Sequence, residues 1–339
     1  QWSQDTVSEW YGPGKSAHYG ETLAAGRRAD PAALGSLVRL AADVLYPVIV
    51  RATALNLLQS YPAPAARQAL EVALMDEEAL IRRTAMQSLQ IADPGTLART
   101  LAPMLDDPVK GVRIEAASRL AGDPTRFLRP DQKKAFDRAL QEFEEAMLYS
   151  ADFPANRYNL GNLYNTLGRP EEAISAYEAS IRIDKQFYPA KANLAILYNQ
   201  RGENDKAEAL LRSVVDQQPD MFEMAYSLGL LLVEMENYQD AVVYLEQASD
   251  GLPQRARIHY NLGLLYQFQQ DMIRAEQKLR EALTLEPRNF DFQYGLADHY
   301  LKRGLFEQAR PIVEAMVSMH PDQPIGLQMQ NFIRMNTGK

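Results

Sequence analysis

Residues 158–164 read Tyr-Asn-Leu-Gly-Asn-Leu-Tyr, and versions of this heptapeptide return every 34 residues: ANLAILY at 192–198, YSLGLLL at 226–232, YNLGLLY at 260–266 and YGLADHY at 294–300. A leucine (Leu160, Leu194, Leu228, Leu262, Leu296) always precedes a small residue (Gly161, Ala195, Gly229, Gly263, Ala297). Three positions after the small residue stands a bulky one: Tyr164, Tyr198, Leu232, Tyr266 or Tyr300. Twelve after it comes an alanine (Ala173, Ala207, Ala241, Ala275, Ala309), and four units close with Pro219, Pro253, Pro287 or Pro321. Leucine and the large residue four later share one helical face, and the small residue between them lets a second helix approach closely. The later alanine does the same on that second helix, and the proline ends it. One such pair cannot bury its own apolar face, so the pairs stack into a superhelix with a concave wall.

The period and pattern over residues 154–321 resemble five tetratricopeptide (TPR) repeats. The resemblance implies an all-α α-solenoid whose first helices line the concave wall at positions three before, one after and four or five after the small residue. Three before gives Tyr158, Ala192, Tyr226, Tyr260 and Tyr294; one after gives Asn162, Ile196, Leu230, Leu264 and Asp298; farther along come Asn165, Asn199, Val233, Gln267, Phe268 and Leu301. The expected groove is amide-rich at its N-terminal end and apolar with tyrosine in the middle, which suits a peptide held by ring contact and backbone hydrogen bonds. The partner-contact candidates are Tyr158, Asn162, Asn165, Asn199, Tyr226, Leu230, Tyr260, Leu264 and Tyr294. Tyrosine also serves packing at this TPR position, so its role in the groove stays open. The lysine places of a chaperone-tail clamp are held by Tyr158 and Ala192, although Asn162 fits, which disfavours an adaptor of that kind.

Upstream, Val50-Arg51, Ile81-Arg82 and Val112-Arg113 are 31 residues apart and open three similar helices, VRATALNLL, IRRTAMQSL and VRIEAASRL. Asp-Pro steps at 30–31, 93–94 and 107–108 mark helix starts, with Asp accepting amide hydrogen bonds and Pro filling the first turn. Residues 31–122 resemble short HEAT-like repeats. In such arrays an acid before the second helix pairs with the repeat's arginine, and Asp76 and Asp107 stand in that place before Arg82 and Arg113; before Arg51 the place is held by Leu45. Such a ladder would set stacking register more than stability.

Gly122–Pro130, with one glycine and two prolines, marks the expected boundary between the arrays, and residues 123–153 form the connector. Within it, Ala139, Phe143 and Ala146 stand 34 residues before Ala173, Tyr177 and Ser180, so 131–150 reads as a second TPR helix without its own first helix. Residues 322–339 are expected to cap the array through a helix over 323–336, with Thr337, Gly338 and Lys339 frayed.

Residues 1–30 differ from the rest and carry Trp2 and Trp10, with short helices expected near 3–11 and 19–27. Gly14-Lys15-Ser16 is not a phosphate loop, since Glu9 holds the required glycine's place. The 339 residues carry a net charge of −8, which disfavours nucleic acid, and no apolar run approaches the roughly 18–20 residues that span a bilayer. No signal peptide is evident, and a chain beginning with Gln1 reads as a processed product or a piece of something longer. With no cysteine, disulfides, thiolate metal sites, cysteine nucleophiles and covalent c-type haem are excluded from this chain. The four histidines (His18, His259, His299, His320) form no metal motif, and no catalytic signature occurs, so a non-enzymatic protein is expected.

The order of segments (QWSQDTVSEWYGP, then HYGETLAAGRRADPAAL, then HEAT-like repeats, then TPRs) is similar to the C-terminal part of bacterial multihaem cytochrome c proteins. That resemblance implies a scaffold attached to or associated with an electron-transfer module, its haem carried on an upstream segment or a partner. It also implies a periplasmic or extracellular location, with a cytoplasmic one left open. His18 is then a candidate axial haem ligand, since neutral imidazole suits iron. A plain turn histidine is the other reading. The alternatives to a scaffold for a protein or peptide partner are an electron-transfer part donating axial ligands and a cytoplasmic assembly adaptor.

Overall fold

The computed structural model describes residues 18–338, and all regular structure among them is helical. Trp2, Trp10, the expected 3–11 helix and the Gly14-Lys15-Ser16 step lie outside the described residues. Two compact units result, one running to Ile183 and the other from Asp184 onward, and each is an α-solenoid of antiparallel helix pairs.

The first unit contains α1 (Tyr19–Arg27), α2 (Leu34–Ala42), α3 (Val48–Leu58), α4 (Pro64–Ala73), α5 (Ala79–Ser88), α6 (Pro94–Leu101), α7 (Lys110–Leu120), α8 (Pro130–Tyr149), α9 (Pro154–Thr166) and α10 (Pro170–Ile183). Two of the Asp-Pro steps cap as expected. Asp30 accepts from the Ala32 amide at 2.9 Å at the head of a 3-10 turn, and Asp93 accepts from Thr96 at 2.7 Å at the head of α6. The third stands just ahead of its helix: α7 begins at Lys110, and Asp107 accepts from the Val109 amide at 2.8 Å.

The same carboxylate also receives the arginine of the preceding pair. Arg82 donates to both carboxylate oxygens of Asp107 at 2.7 and 2.8 Å, Arg51 pairs with Asp76, and Arg113 donates to both oxygens of Glu142 at 2.9 and 2.6 Å. The ladder therefore runs between pairs rather than within one. The reason is reach: the guanidinium of each arginine also grips its own loop through carbonyls, Arg82 that of Asp76 at 2.7 Å and Arg113 that of Asp107 at 2.7 Å. Its remaining donors point to the next layer. Burial pushes the Asp107 carboxyl up, but the hydrogen bonds from Arg82 and the Val109 amide, together with the charges of Arg82 and Arg113, outweigh it and hold the group below its ordinary range.

Because the last rung lands on Glu142 of α8, the Gly122–Pro130 boundary is not where the chain divides. Gly122 has φ +84°, and a Cβ there would meet Thr166 of α9 at 3.2 Å, so only glycine lets this turn lie against the first TPR helix. One core runs without a break from Leu23 to Ala176. The isolated helix 131–150 thus packs between α7 and α9, with Ala139 and Phe143 buried and Arg169 reaching Glu144 at 3.2 Å.

The second unit contains α11 (Tyr188–Gln200), α12 (Asn204–Gln217), α13 (Phe222–Glu234), α14 (Tyr238–Gly251), α15 (Ala256–Phe268), α16 (Met272–Leu285), α17 (Phe290–Lys302), α18 (Phe306–Met319) and α19 (Pro324–Thr337). The small contact residues act by close approach: a Cβ on Gly229 would lie 2.6 Å from Leu245, and one on Gly263 2.7 Å from Leu279. Turns between paired helices need a left-handed residue 34 apart. Gly202 (φ 73°) and Gly304 (φ 70°) supply it without strain, whereas Glu236 (φ 61°) and Gln270 (φ 66°) adopt it as non-glycine residues. At the far end Gly338 (φ 69°) closes α19 through its amide to Arg334 at 3.0 Å, so Thr337 is helical rather than frayed.

Loop carbonyls between repeats are satisfied by a polar residue six positions later on the first helix. His259 Nε2 meets the Pro253 carbonyl at 2.9 Å, Gln293 donates to Pro287 at 2.8 Å, and in the first unit Arg157 donates to Ala151 at 3.4 Å. Where Ala225 occupies this position, Gln247 of the second helix serves Pro219 instead at 2.8 Å. His259 and His299 are both buried.

Candidate functional site

The first helices of the second unit place Ile196, Leu230 and Leu264 at equivalent register, and these stay 54, 38 and 38% exposed although all are large and apolar. Phe268, at the end of α15, is 62% exposed. Between α11 and α13 a cleft of about 340 Å³ is lined by Ile196, Asn199, Leu230 and Glu234. Asn199 is anchored by hydrogen bonds to Asn204 at 3.2 Å and Glu234 at 2.9 Å, so its amide is held rather than loose. At Asp298 the apolar row gives way to a carboxylate paired with Lys302 at 2.7 Å.

The tyrosines are not equivalent. Tyr226 is buried, its hydroxyl accepting from Asn261 at 2.9 Å and its ring lying 4.6 Å from the Arg255 guanidinium. Tyr260 is half-buried against Phe292, with ring centroids 5.0 Å apart, and fills the space that a side chain at Gly295 would take. Burial pushes both hydroxyls above the ordinary tyrosine range. Tyr294 is 37% exposed. Packing therefore claims Tyr226 and most of Tyr260, and leaves Tyr294 with Leu230 and Leu264 on the surface. Arg255 and Arg257 were not foreseen; the latter lies 5.4 Å from the Tyr260 ring and 4.9 Å from Phe292. The Arg-x-Arg step directly ahead of a tyrosine-bearing helix was the signal available for them.

The remaining candidates sit in the first unit. Tyr158 is half-buried with its ring 5.9 Å from that of Tyr177, Asn162 accepts from the Tyr177 hydroxyl at 2.7 Å, and Asn165 is exposed. A second cleft of about 340 Å³ includes Asn162 and lies among α5, α7, α8 and α9.

His18 stands immediately before α1, where its Nδ1 accepts the Gly20 amide at 3.1 Å and its ring stacks on Tyr19 at 4.1 Å. A metal-ligating imidazole ordinarily donates its second nitrogen to an acceptor, which orients the ring and raises its basicity. Here that nitrogen receives a proton donor instead, so the residue is built as a helix cap and does not fit the axial-ligand role. Among the described residues no group of three or more His, Asp or Glu is placed to hold a metal, and no helix is long and apolar enough to cross a membrane.

Two family profiles described as tetratricopeptide repeat match the chain, one at residues 166–229 and 269–330 and the other at 132–186 and 226–272. The chain therefore carries tetratricopeptide repeats, a class of repeat that serves as a protein–protein interaction scaffold, and the matched region begins inside α8. No curated protein matches it. Similar solved structures include MamA 41-end from Desulfovibrio magneticus RS-1, 20% identical over 50% of this chain and 96% of that one, TM-score 0.47. YrrB, described as a TPR protein with an unusual peptide-binding site, is 17% identical over 56% and 97%, TM-score 0.49. PilF of Pseudomonas aeruginosa is 21% identical over 54% and 83%, TM-score 0.46.

Proposed function

We propose that this chain is a non-catalytic scaffold that holds a partner's peptide segment on the first helices of the second unit. The observation that carries the reading is the row Ile196, Leu230 and Leu264: large apolar residues left exposed at one register of successive repeats, beside the anchored amide of Asn199. A row of this kind offers apolar side chains of a peptide a set of equally spaced contacts, while the amide serves its backbone. Tyr226 and Tyr260 support the wall from beneath, and Tyr294 extends it. In the same reading, the N-terminal helix pairs are HEAT-like spacers. Association with a multihaem cytochrome c, at a periplasmic or extracellular site, rests on the order of segments alone and involves no haem ligand from His18.

The test uses the full chain against an immobilised array of random pentadecapeptides. Leu230→Asp combined with Leu264→Asp removes the row at two exposed positions and should leave the melting temperature within about 2 °C, since surface changes away from packing cost little. Peptide affinity should fall at least about ten-fold, the usual cost of losing an anchor. Unchanged array binding by the folded double variant would place recognition elsewhere.

A further inference from the structure

Arg119 of α7 reaches back to the preceding helix pair, where its guanidinium donates to the carbonyls of Gln87 at 3.2 Å and Leu89 at 2.7 Å. Thirty-one residues earlier, at the same register on α5, stands Ser88. Where the arginine fills the step between pairs, the shorter serine leaves it open: a cleft of about 530 Å³ lies among α3, α4 and α5. That volume is of the size that ligand pockets have. Ser88 is 1% exposed and lines the cleft, and its hydroxyl has no hydrogen-bond partner among the described residues. A buried hydroxyl left unpaired costs free energy, which a polar atom of a ligand recovers.

The remaining lining narrows the ligand. Its floor is apolar, with Leu58, Ala66, Leu70 and Leu89 all buried. One wall is the loop 61–64, stiffened by Pro62 and Pro64 and pinned by the Tyr61 hydroxyl, which donates to the Asp30 carbonyl at 2.9 Å. A ligand therefore meets a formed site and loses little to reorganisation. At the mouth stand Gln59, Gln90 and Arg67, the one charged residue of the lining. Gln59 is turned to Asn56 at 3.1 Å. Arg67 gives only its Nε to Glu71, at 2.9 Å, in an exposed pair one turn apart that contributes little. Its two Nη groups make no bond among the described residues, and a carboxylate can accept from both at once. The N-cap of α4, Ala63, also lines the cleft and has no side-chain group to cap the helix, so the positive end of α4 borders the mouth and favours the same charge.

We propose that this cleft binds a small hydroxylated organic acid, with the carboxylate on Arg67 at the mouth, the apolar body over Leu58, Leu70 and Leu89, and the hydroxyl on Ser88 in the depth. The site belongs to the first unit, and it goes beyond the scaffold reading without depending on it.

The probes are para-hydroxyphenylacetate, its uncharged amide and phenylacetate, each titrated against the full chain by ligand-observed NMR. The hydroxy acid should bind saturably, at least about three-fold more tightly than phenylacetate for one hydrogen bond, and about ten-fold more tightly than the amide for a charge-assisted pair. Ser88→Ala removes an unpaired group and leaves the fold intact; it should erase the preference for the hydroxyl and keep that for the acid. Arg67→Gln, at an exposed position, should do the reverse. Ser88→Arg puts the side chain of the next pair into the open step and should abolish binding of all three probes in a folded chain. The proposal is overturned if no probe binds saturably, if Ser88→Ala keeps the hydroxyl preference, if Arg67→Gln keeps the acid preference, or if folded Ser88→Arg binds as the native chain does. Should Ser88→Arg not fold, the other two variants decide.

Discussion

At the scale of single residues, the repeat is a set of positions with unequal tolerance. The turn position at 202, 236, 270 and 304 is left-handed in every repeat of the second unit, yet only two of the four are glycine. A non-glycine residue there carries about 1–3 kcal/mol of strain, against about 0.5–1 kcal/mol of extra unfolded-state entropy for glycine. Glu236→Gly and Gln270→Gly should therefore each stabilise the protein by about 0.5–1 kcal/mol in urea unfolding. A loss of stability in both would mean that these side chains make contacts worth more than the strain. The same inequality governs the tyrosines: Tyr226 and Tyr294 occupy one register, but only Tyr294 remains on the surface.

Between elements, the arginine ladder decides how successive pairs stack in the first unit. Arg82 and Asp107 are both nearly buried and share two hydrogen bonds, so removing one partner leaves a charge without compensation. Arg82→Met should cost about 3–5 kcal/mol in denaturant unfolding. Arg82→Met combined with Asp107→Leu should cost less than Arg82→Met alone, because the stranded carboxylate is gone. If the double variant loses the sum of both single losses, the pair contributes no coupling and the ladder is incidental. Helix α8 belongs to this argument too, since Glu142 receives the last rung and carries the stacking across the break in repeat period.

For the molecule as a whole, the titration of its buried groups sets an acid limit. His299 is buried, and burial first, then the Arg303 guanidinium, pulls its pKa below the ordinary 6.5. A histidine held neutral in the fold contributes stability that is present above pH 6.5 and is lost as pH falls through the lower folded value. Asp107, Glu276 and Glu281 are likewise depressed, so their contribution is present above their ordinary 3.8–4.5 and is lost in stronger acid. Acid unfolding should proceed in two stages. In His299→Gln the fall in melting temperature between pH 7.5 and 5.0 should shrink, while the fall below pH 4 remains. An identical fall in the variant over the upper window would show that His299 is not the group responsible.

Much of this was legible in the chain because repetition makes sequence redundant. Five returns of Leu-small-x-x-bulky gave the period, the helix pairs and the exposed register of Leu230 and Leu264, since side-chain direction follows from helical spacing alone. The 31-residue spacing of Arg51, Arg82 and Arg113 likewise announced a ladder. What spacing does not carry is which neighbour a long side chain reaches. The acid of Arg82 came from the next pair, the Gly122 turn closed onto Thr166, and His18 gave its nitrogen to an amide instead of a metal. The first two depend on distances between segments far apart in the chain, which only the packed structure decides, and the third on a local cap that spacing does not show. Packing likewise decides the cleft of Leu58, Arg67 and Ser88: its residues share no motif, and they form one surface only because α3, α4 and α5 pack around a common core.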